Sequence, residues 1–265
     1  MNLIAIDIGN TNITAGLFLE DIEAGMEKVS GSKIEELAEI LTGYWQRVPF
    51  SRASSDKTKR DGVIVVASTN PKWTDMVKKI VQEQLGEKIL EVGIGKDVPL
   101  PMELDVDEPR QVGVDRVLAA HAAYSVVEDA LIVADFGTAV TVDLVDDKGV
   151  FLGGAILPGF DISADALNKY TAALPKIGKV KLPQKPFGRN TAEAINNGLY
   201  YSAIGSFETI TRFYAEYLGK WPQTIVTGGN MEILKNGCDF VDTFVADLVV
   251  RGIVLAYKKY VGERS

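Results

Sequence analysis

A unit made of an apolar strand, an acidic turn and a second strand opens this chain. Residues 3–6 are apolar, and the turn Asp7-Ile8-Gly9-Asn10-Thr11-Asn12 follows them. Residues 13–18 then return to the composition of a strand. Glycine and asparagine between two apolar runs are typical of a tight hairpin connection, so a hairpin is predicted here.

The same unit occurs a second time. Residues 131–134 are apolar, the turn Asp135-Phe136-Gly137-Thr138-Ala139 follows, and residues 140–145 resume as a strand. Asp7 and Asp135 stand at equivalent places, 128 positions apart in a chain of 265 residues. A repeat separated by about half of the chain predicts two similar α/β halves.

Apolar residues at helical spacing predict the helices between and after these units. The predicted helices cover residues 33–44, 72–85, 113–127, 162–170, 191–218 and 242–261, the fifth with a break at Gly205. Further strands are predicted at residues 62–67 and 224–226. The boundary is placed in the helix that joins the halves, which gives an N-terminal half of residues 1–118 and a C-terminal half of residues 119–265.

Charge and composition exclude several function classes. The net charge of −8 disfavours nucleic-acid binding, which usually needs a basic surface. One cysteine, Cys238, and one histidine, His121, cannot form a disulfide or a Cys/His zinc site. The N-terminus lacks a basic region before its apolar run, and no apolar run is long enough to span a bilayer. We therefore expect a cytoplasmic protein that binds neither membrane nor nucleic acid.

The first turn has the residues of a phosphate site. Gly9 allows close approach of the backbone, and Asn10 and Thr11 add hydrogen-bond donors. Asp7 would repel a bare phosphate, so a functional Asp7 requires a cation such as Mg²⁺. The alternative is a hairpin in which Asp and Asn satisfy only the turn itself. The second copy favours the functional interpretation.

The second turn continues into a strand with polar residues on one face. Alternation places Asp135, Gly137, Ala139, Thr141 and Asp143 on the same side. This face either meets solvent or lines a cleft that holds cations.

Three further motifs have a structural and a functional interpretation each. Gly113-Val114-Asp115-Arg116 is either a helix start or an acidic base beside an arginine that binds an anion. Asn190-Thr191-Ala192-Glu193 is a capping box, and the pattern alone assigns no substrate role to Thr191. Residues 153–159 and 227–230 are glycine-rich and are weak candidates for ligand contact.

Two irregular segments are also predicted. Residues 51–60 form a solvated polar loop, and residues 175–189 carry five basic residues, three prolines and no acidic residue. The second segment is either an exposed linker or a flap or subunit contact near a phosphate site.

Taken in order, four motifs resemble the type III pantothenate kinases of the acetate and sugar kinase/Hsp70/actin superfamily. They are Asp-x-Gly-Asn-Thr at 7–11, Gly-x-Asp-Arg at 113–116, Asp-x-Gly-Thr-Ala-x-Thr-x-Asp at 135–143 and Gly-Gly-Ala-Ile-x-Pro-Gly at 153–159. The resemblance implies an α/β fold of two duplicated ribonuclease-H-like (actin-like ATPase) halves with an inter-domain cleft. It also implies phosphorylation of pantothenate by ATP, the first step of coenzyme A biosynthesis.

The resemblance further implies the roles of individual residues. Asp115 would be the catalytic base, Asp135 would bind K⁺ or NH₄⁺, and ATP would bind with Mg²⁺. ATP contacts would come from Asp7, Ile8, Gly9, Asn10, Thr11, Asn12, Ile13, Thr14 and Thr138. Pantothenate contacts would come from Gly113, Val114, Asp115, Arg116 and, across a homodimer interface, Thr191.

One position departs from the family pattern. Many members have a tyrosine three residues before the proline that precedes Gly-x-Asp-Arg, and this chain has Val106 before Pro109. Two alternatives stay open at this point. One is a kinase for another small hydroxy acid, and the other is a nucleotide-binding regulator without turnover.

Overall fold

The computed structural model describes residues 1–52 and 55–264, so Ala53 and Ser54 of the predicted loop at 51–60 lie outside it. In chain order its strands and helices are β1 (Leu3–Ile8), β2 (Asn12–Leu19), β3 (Ile22–Ser30), α1 (Ile34–Arg47), β4 (Val63–Ser68), α2 (Pro71–Ile80), β5 (Ile89–Glu91), α3 (Val114–Val127), β6 (Leu131–Phe136), β7 (Ala139–Val145), β8 (Phe151–Pro158), α4 (Phe160–Lys169), α5 (Thr191–Leu218), β9 (Gln223–Thr227), β10 (Thr243–Phe244) and α6 (Leu248–Gly262). A π-helical turn, Val81–Leu85, extends α2.

The residues group into two compact units. The first contains Met1–Glu103, Glu108–Ala122 and Asp247–Ser265, and the second contains Leu104–Asp107 and Ala123–Ala246. The sequence-based division at residue 118 placed Asp247–Ser265 in the C-terminal half. In the structure α6 packs against β1 instead, and the missing side chain of Gly252 lets it approach the backbone of Leu118 in α3.

The two sheets have the same topology. The first has the order β3-β2-β1-β4-β5 and the second, read from its other edge, the order β8-β7-β6-β9-β10. In each sheet the first strand pairs antiparallel with the second and parallel with the fourth. The expected pair of similar α/β halves is therefore confirmed.

An irregularity in strand pairing is also duplicated. The register between β2 and β3 shifts after Leu17, and the register between β7 and β8 shifts after Leu144. Both leucines pair with a glycine, Gly25 in the first sheet and Gly153 in the second. A bulge at matching places bends both hairpins at the same point, which further supports a duplicated unit.

Each unit has its own apolar core. In the first, Ile4, Ile6 and Ile8 of β1 pack with Leu37 and Leu41 of α1. In the second, alternate residues of β6 face α4 and α5, and the rings of Phe136 and Phe207 meet edge to face at 5.5 Å. β1 and β6 are almost wholly buried because helices or neighbouring strands cover both of their faces.

Several details differ from the sequence-based expectations. Residues 153–158 belong to strand β8, which was not among the strands expected from the sequence. Helix α5 continues through Gly205 without a break, because a lone glycine weakens a helix without ending it. The helix expected from residue 242 begins at Leu248, after the short strand β10. No helix in the described ranges is long and apolar enough to cross a membrane.

Candidate functional site

The two acidic turns have the same pattern of burial. From Leu3 to Asn10 and from Leu131 to Thr138, four buried residues precede a half-buried aspartate, a buried apolar residue, a half-buried glycine and an exposed polar residue. Asp7 and Asp135 are therefore the first polar groups at the ends of strands that are otherwise buried. An acid at such a place is held rigidly by the strand while it still has access to solvent or to a ligand.

The first turn closes on its own backbone. The amide of Gly9 donates to the carbonyl oxygen of Asn12 at 3.0 Å, and the amide of Gly31 donates to the carbonyl oxygen of Thr11 at 3.0 Å. The side chains of Asn10 and Thr11 are exposed. This arrangement fixes the loop while its polar side chains stay at the surface, as a phosphate-binding loop requires.

The second turn is one residue shorter and is closed in the same way. The amide of Gly137 donates to the carbonyl oxygen of Ala139 at 3.1 Å, and Thr138 is exposed at the tip. Gly159 lies against the carbonyl groups of Gly137 and Thr138, where a side chain would not fit. The glycine-rich stretch at 153–159 thus supports the turn through its last residue.

Each aspartate faces a threonine across the hairpin. Asp7 pairs with Thr14, and Asp135 pairs with Thr141, so each carboxylate and hydroxyl share one face of the sheet. Asp143 lies on the same face as Thr141 and is only 2% exposed. The alternative of a solvent-facing surface is therefore wrong for Asp143. Carboxylate and hydroxyl oxygens are donors that suit hard cations.

The stretch Thr227-Gly228-Gly229-Asn230 packs directly on the second turn. Gly228 lies against the carboxylate of Asp135 and the backbone of Phe136. The amide of Asn230 donates to the carbonyl oxygen of Phe136 at 3.0 Å. The first unit has a matching bond, in which the amide of Thr69 donates to the carbonyl oxygen of Ile8 at 3.0 Å. From the sequence alone this stretch is an isolated weak motif, because nothing local links it to Asp135.

Asp115 lies in the first turn of α3, in the first unit. Its Oδ1 accepts a hydrogen bond from the Arg116 amide at 2.9 Å, and a Cβ on Gly113 would be 2.5 Å from that oxygen. Burial raises the pKa of Asp115, while the Arg116 amide and the Arg116 charge act in the opposite direction. The carboxylate therefore contributes to the helix start, and its desolvation also makes it a stronger base than a surface aspartate.

Thr191 is the first residue of α5, in the second unit, and it is exposed. The predicted capping box is confirmed. The Glu193 amide donates to Asn190 Oδ1 at 2.9 Å, and Glu193 Oε2 accepts from the Arg189 amide at 2.8 Å. Asn190 and Glu193 thus hold the helix end and leave the Thr191 hydroxyl at the surface.

Val106 lies beside strand β8. A Cβ built on Gly153 would be 3.6 Å from a methyl group of Val106, and the Asp105 amide donates to the carbonyl oxygen of Phe151 at 2.9 Å. Gly153 has a φ of +101°, a conformation that favours glycine. The position at which the family pattern has tyrosine is therefore fixed by backbone pairing to β8.

The histidine and the cysteine have pKa values far from neutrality. Burial, with the nearby charge of Lys259, lowers the pKa of His121 to about 4, and burial raises the pKa of Cys238 to about 11. Both side chains are therefore neutral at physiological pH. Across residues 1–52 and 55–264, no group of three or more His, Cys, Asp or Glu side chains is placed to hold a metal ion.

Comparison with known proteins identifies similar chains. The family model described as type III pantothenate kinase matches residues 3–213. The type III pantothenate kinase of Moorella thermoacetica is 34% identical, with 97% of this chain and 99% of that protein covered. The enzyme of the same name from Dehalococcoides mccartyi is 31% identical, with 97% and 95% covered.

Solved structures show the same fold. A conserved Campylobacter jejuni protein assigned to the Baf family of transcriptional activators has a TM-score of 0.61 at 17% identity, covering 98% of this chain and 99% of that chain. MreB 5 of Spiroplasma citri, bound to AMPPNP, has a TM-score of 0.51 at 12% identity and covers 100% and 99%. The expected actin-like ATPase fold is therefore confirmed.

Proposed function

The chain belongs to the type III pantothenate kinase family, and from this membership we propose that it transfers the γ-phosphoryl group of ATP to the primary hydroxyl of pantothenate. The product is 4′-phosphopantothenate, and the reaction is the first step of coenzyme A biosynthesis. The observation that carries this proposal is the family match over residues 3–213, which contains all four motifs of the chain.

ATP contacts are assigned to the first turn and the tip of the second. Within the assigned set of residues 7–14 and Thr138, the side chains of Asn10, Thr11 and Thr138 are exposed beside backbone turns that are already closed. Mg²⁺ binds to phosphates with few protein ligands and several waters, so one carboxylate, Asp7, with the neighbouring Thr14 hydroxyl fits its requirements. When bound, Mg²⁺ would offset the negative charge of the phosphates.

Proton transfer is assigned to Asp115. Its carboxylate would accept the proton of the pantothenate hydroxyl as the phosphoryl group is transferred, and Arg116 would bind the pantothenate carboxylate. Gly113 and Val114 would complete this contact through the backbone. Burial raises the pKa of Asp115 and so supports the assignment, because a carboxylate with a raised pKa is a more effective general base.

A monovalent cation, K⁺ or NH₄⁺, is assigned to Asp135. The carboxylate is fixed between the Thr141 position and Gly228, which supports a defined oxygen site for a weakly bound ion. The cation would add positive charge near the phosphates.

Thr191 is assigned to pantothenate, across a homodimer interface. Its exposure at the start of α5 supports a contact with a molecule outside its own unit. Dimerisation and a cytoplasmic location stay predictions.

Val106 favours one second candidate, a kinase for another small hydroxy acid. Valine has no hydroxyl to replace that of the family tyrosine, so this position cannot supply a hydroxyl contact that favours pantothenate over similar acids. Competition between pantothenate and other short hydroxy acids for phosphorylation separates the two candidates. If pantothenate is the substrate, unlabelled pantothenate should strongly reduce the phosphorylation of labelled pantothenate, and the other hydroxy acids should not.

The proposal is tested by mass spectrometry of the product with the wild-type enzyme and the Asp115→Asn variant. We expect phosphopantothenate from the wild type and a much lower rate from the variant. ADP formation without phosphopantothenate would contradict the proposed substrate.

A further inference from the structure

Residues 175–189 stand out in charge from the rest of the chain. They carry Lys176, Lys179, Lys181, Lys185 and Arg189 and no acidic residue, in a chain with a net charge of −8. The structure assigns the segment no helix or strand. We call residues 175–189 the basic strap.

The strap is held firmly to α5 and to the core. The Lys181 amide donates to Asn196 Oδ1 at 2.8 Å, and Asn196 Nδ2 donates back to the Lys181 carbonyl oxygen at 2.9 Å. The buried Asn197 donates to the Lys185 carbonyl oxygen at 2.8 Å. Val180 is only 6% exposed and belongs to the apolar core of the second unit. The segment is therefore largely exposed, as expected of a linker, but side-chain amides and one core residue fix it to the second unit.

The basic side chains of the strap are exposed to solvent. Lys179, Lys181 and Lys185 are exposed, and in residues 1–52 and 55–264 none of the three forms a salt bridge, whereas Lys176 pairs with Asp165 at 2.9 Å. Lysines that are not neutralised by the protein remain available to an anion from outside.

The strap runs beside the first two turns of α5. Lys181 and Lys185 are bonded to Asn196 and Asn197, and the strap ends one residue before Asn190, the cap of α5. Asn196 follows Thr191 by five positions in α5, which corresponds to a rise of about 7.5 Å along the helix axis. The backbone of the strap at Lys181 is thus anchored at a helical distance from Thr191 that is shorter than the screening length of about 10 Å at 0.1 M salt.

We propose that Lys181 and Lys185 form a fixed cationic surface that attracts pantothenate, through the negative charge of its carboxylate, towards the site where Thr191 contacts it. This inference rests on the proposed function, in which Thr191 binds pantothenate. Fixation matters because lysines on an ordered backbone lose less freedom when an anion arrives. The remaining negative charge of the protein repels the same substrate, so a local basic surface raises the substrate concentration near the site.

The test compares two double variants that change the net charge equally. Lys181→Gln/Lys185→Gln alters the strap, and Lys72→Gln/Lys88→Gln alters two exposed lysines of the first unit. The KM for pantothenate is measured in about 0.05 M and about 0.5 M NaCl at constant K⁺. We expect the strap variant to raise this KM about fivefold at low salt, with little change at high salt or in kcat, and the control to match the wild type.

Two further arms identify the anion and the role of fixation. Pantothenol, in which CH₂OH replaces the carboxylate, is measured as a competing ligand, and its inhibition constant should be equal in the wild type and the strap variant. The variant Asn196→Ala keeps every charge but releases Lys181, and it should raise the KM for pantothenate in the same direction.

The outcomes separate this inference from the proposed function. If the wild type phosphorylates pantothenate but the two double variants behave alike, the strap inference alone is wrong. A loss that falls on the KM for ATP, or equally on pantothenol, would also overturn the assignment to the carboxylate. Absence of pantothenate turnover in the wild type would instead refute the proposed function.

Discussion

Replacement of Gly228 by alanine tests the packing between the second turn and the stretch at 227–230. Gly228 has a φ of +97°, and a Cβ built there would lie 2.6 Å from both the amide nitrogen and the carbonyl carbon of Phe136. It would also meet the Asp135 carboxylate. These atoms belong to a buried strand and cannot move aside easily, so the substitution must shift the turn, the carboxylate or both.

The expected loss of stability has two parts. A residue other than glycine at this φ costs about 1–3 kcal/mol, and overlap with packed atoms costs about 1–3 kcal/mol more. The free energy of unfolding should therefore fall by about 2–6 kcal/mol. At about 2–4 °C per kcal/mol for a chain of this size, Tm falls by roughly 4–24 °C.

Two matched variants in the same unit separate these parts. Gly219 has a φ of +69° with nothing near its Cβ position, so Gly219→Ala measures backbone strain alone and should cost about 1–3 kcal/mol. Gly205 lies inside α5 with open space, so Gly205→Ala should stabilise by about 0.5–1 kcal/mol. Thermal unfolding and kcat are measured for all three.

Gly228→Ala should be the least stable of the three variants, and it alone should also lose activity through displacement of Asp135. A Gly228→Ala enzyme with the Tm and kcat of the wild type would refute the packing described here.

The remaining predictions concern Asp115 and Asn190. Asp115→Asn should lower kcat by about 10²–10⁴-fold and leave the Kd for ATP nearly unchanged, and turnover within a few-fold of the wild type would contradict the assigned base. Burial raises the pKa of Asp115, so the folded protein holds this proton more tightly than the unfolded chain. This carboxyl therefore lowers stability as pH rises above 3.8 through its raised pKa. The Tm of Asp115→Asn relative to wild type should increase from about pH 4 to pH 7, and a difference that does not change with pH would contradict the burial. Asn190→Ala removes the cap that accepts from Glu193 and should lower the free energy of unfolding by about 1 kcal/mol in urea titrations, whereas an unchanged midpoint would mean that the cap contributes nothing.

The sequence predicted the features that depend on neighbouring residues. The Asp-x-Gly turns, the duplicated hairpins and the capping box at Asn190 are encoded within a few positions, and the structure has each of them. The repeat was visible because both copies keep the same order of apolar, acidic and glycine residues.

Features that depend on distant residues were not predictable in the same way. The contact of Gly228 with Asp135 joins positions 93 residues apart, and no local signal marks it. The strand β8 contains two glycines, which are unfavourable in strands, so its residues were not predicted as a strand. The packing of α6 on β1 joins the two ends of the chain, whereas a boundary drawn from the repeat follows chain order.

The roles of the site residues depend on the family rather than on local pattern. Asp115 and Thr191 each have a complete structural explanation, as part of a helix start. Their proposed functions therefore need direct measurement. Asp115 is the better residue to test first, because its carboxylate is desolvated by burial whereas Thr191 is exposed.

The central claim is ATP-dependent phosphorylation of pantothenate at a site that uses a monovalent cation. Coupled measurement of ADP release with pantothenate, in K⁺ or NH₄⁺ and in buffer with neither ion, tests it most directly. We predict turnover that requires pantothenate and rises strongly with K⁺ or NH₄⁺. Bound ATP without turnover under every condition would contradict the claim, and turnover indifferent to both ions would contradict the cation site at Asp135.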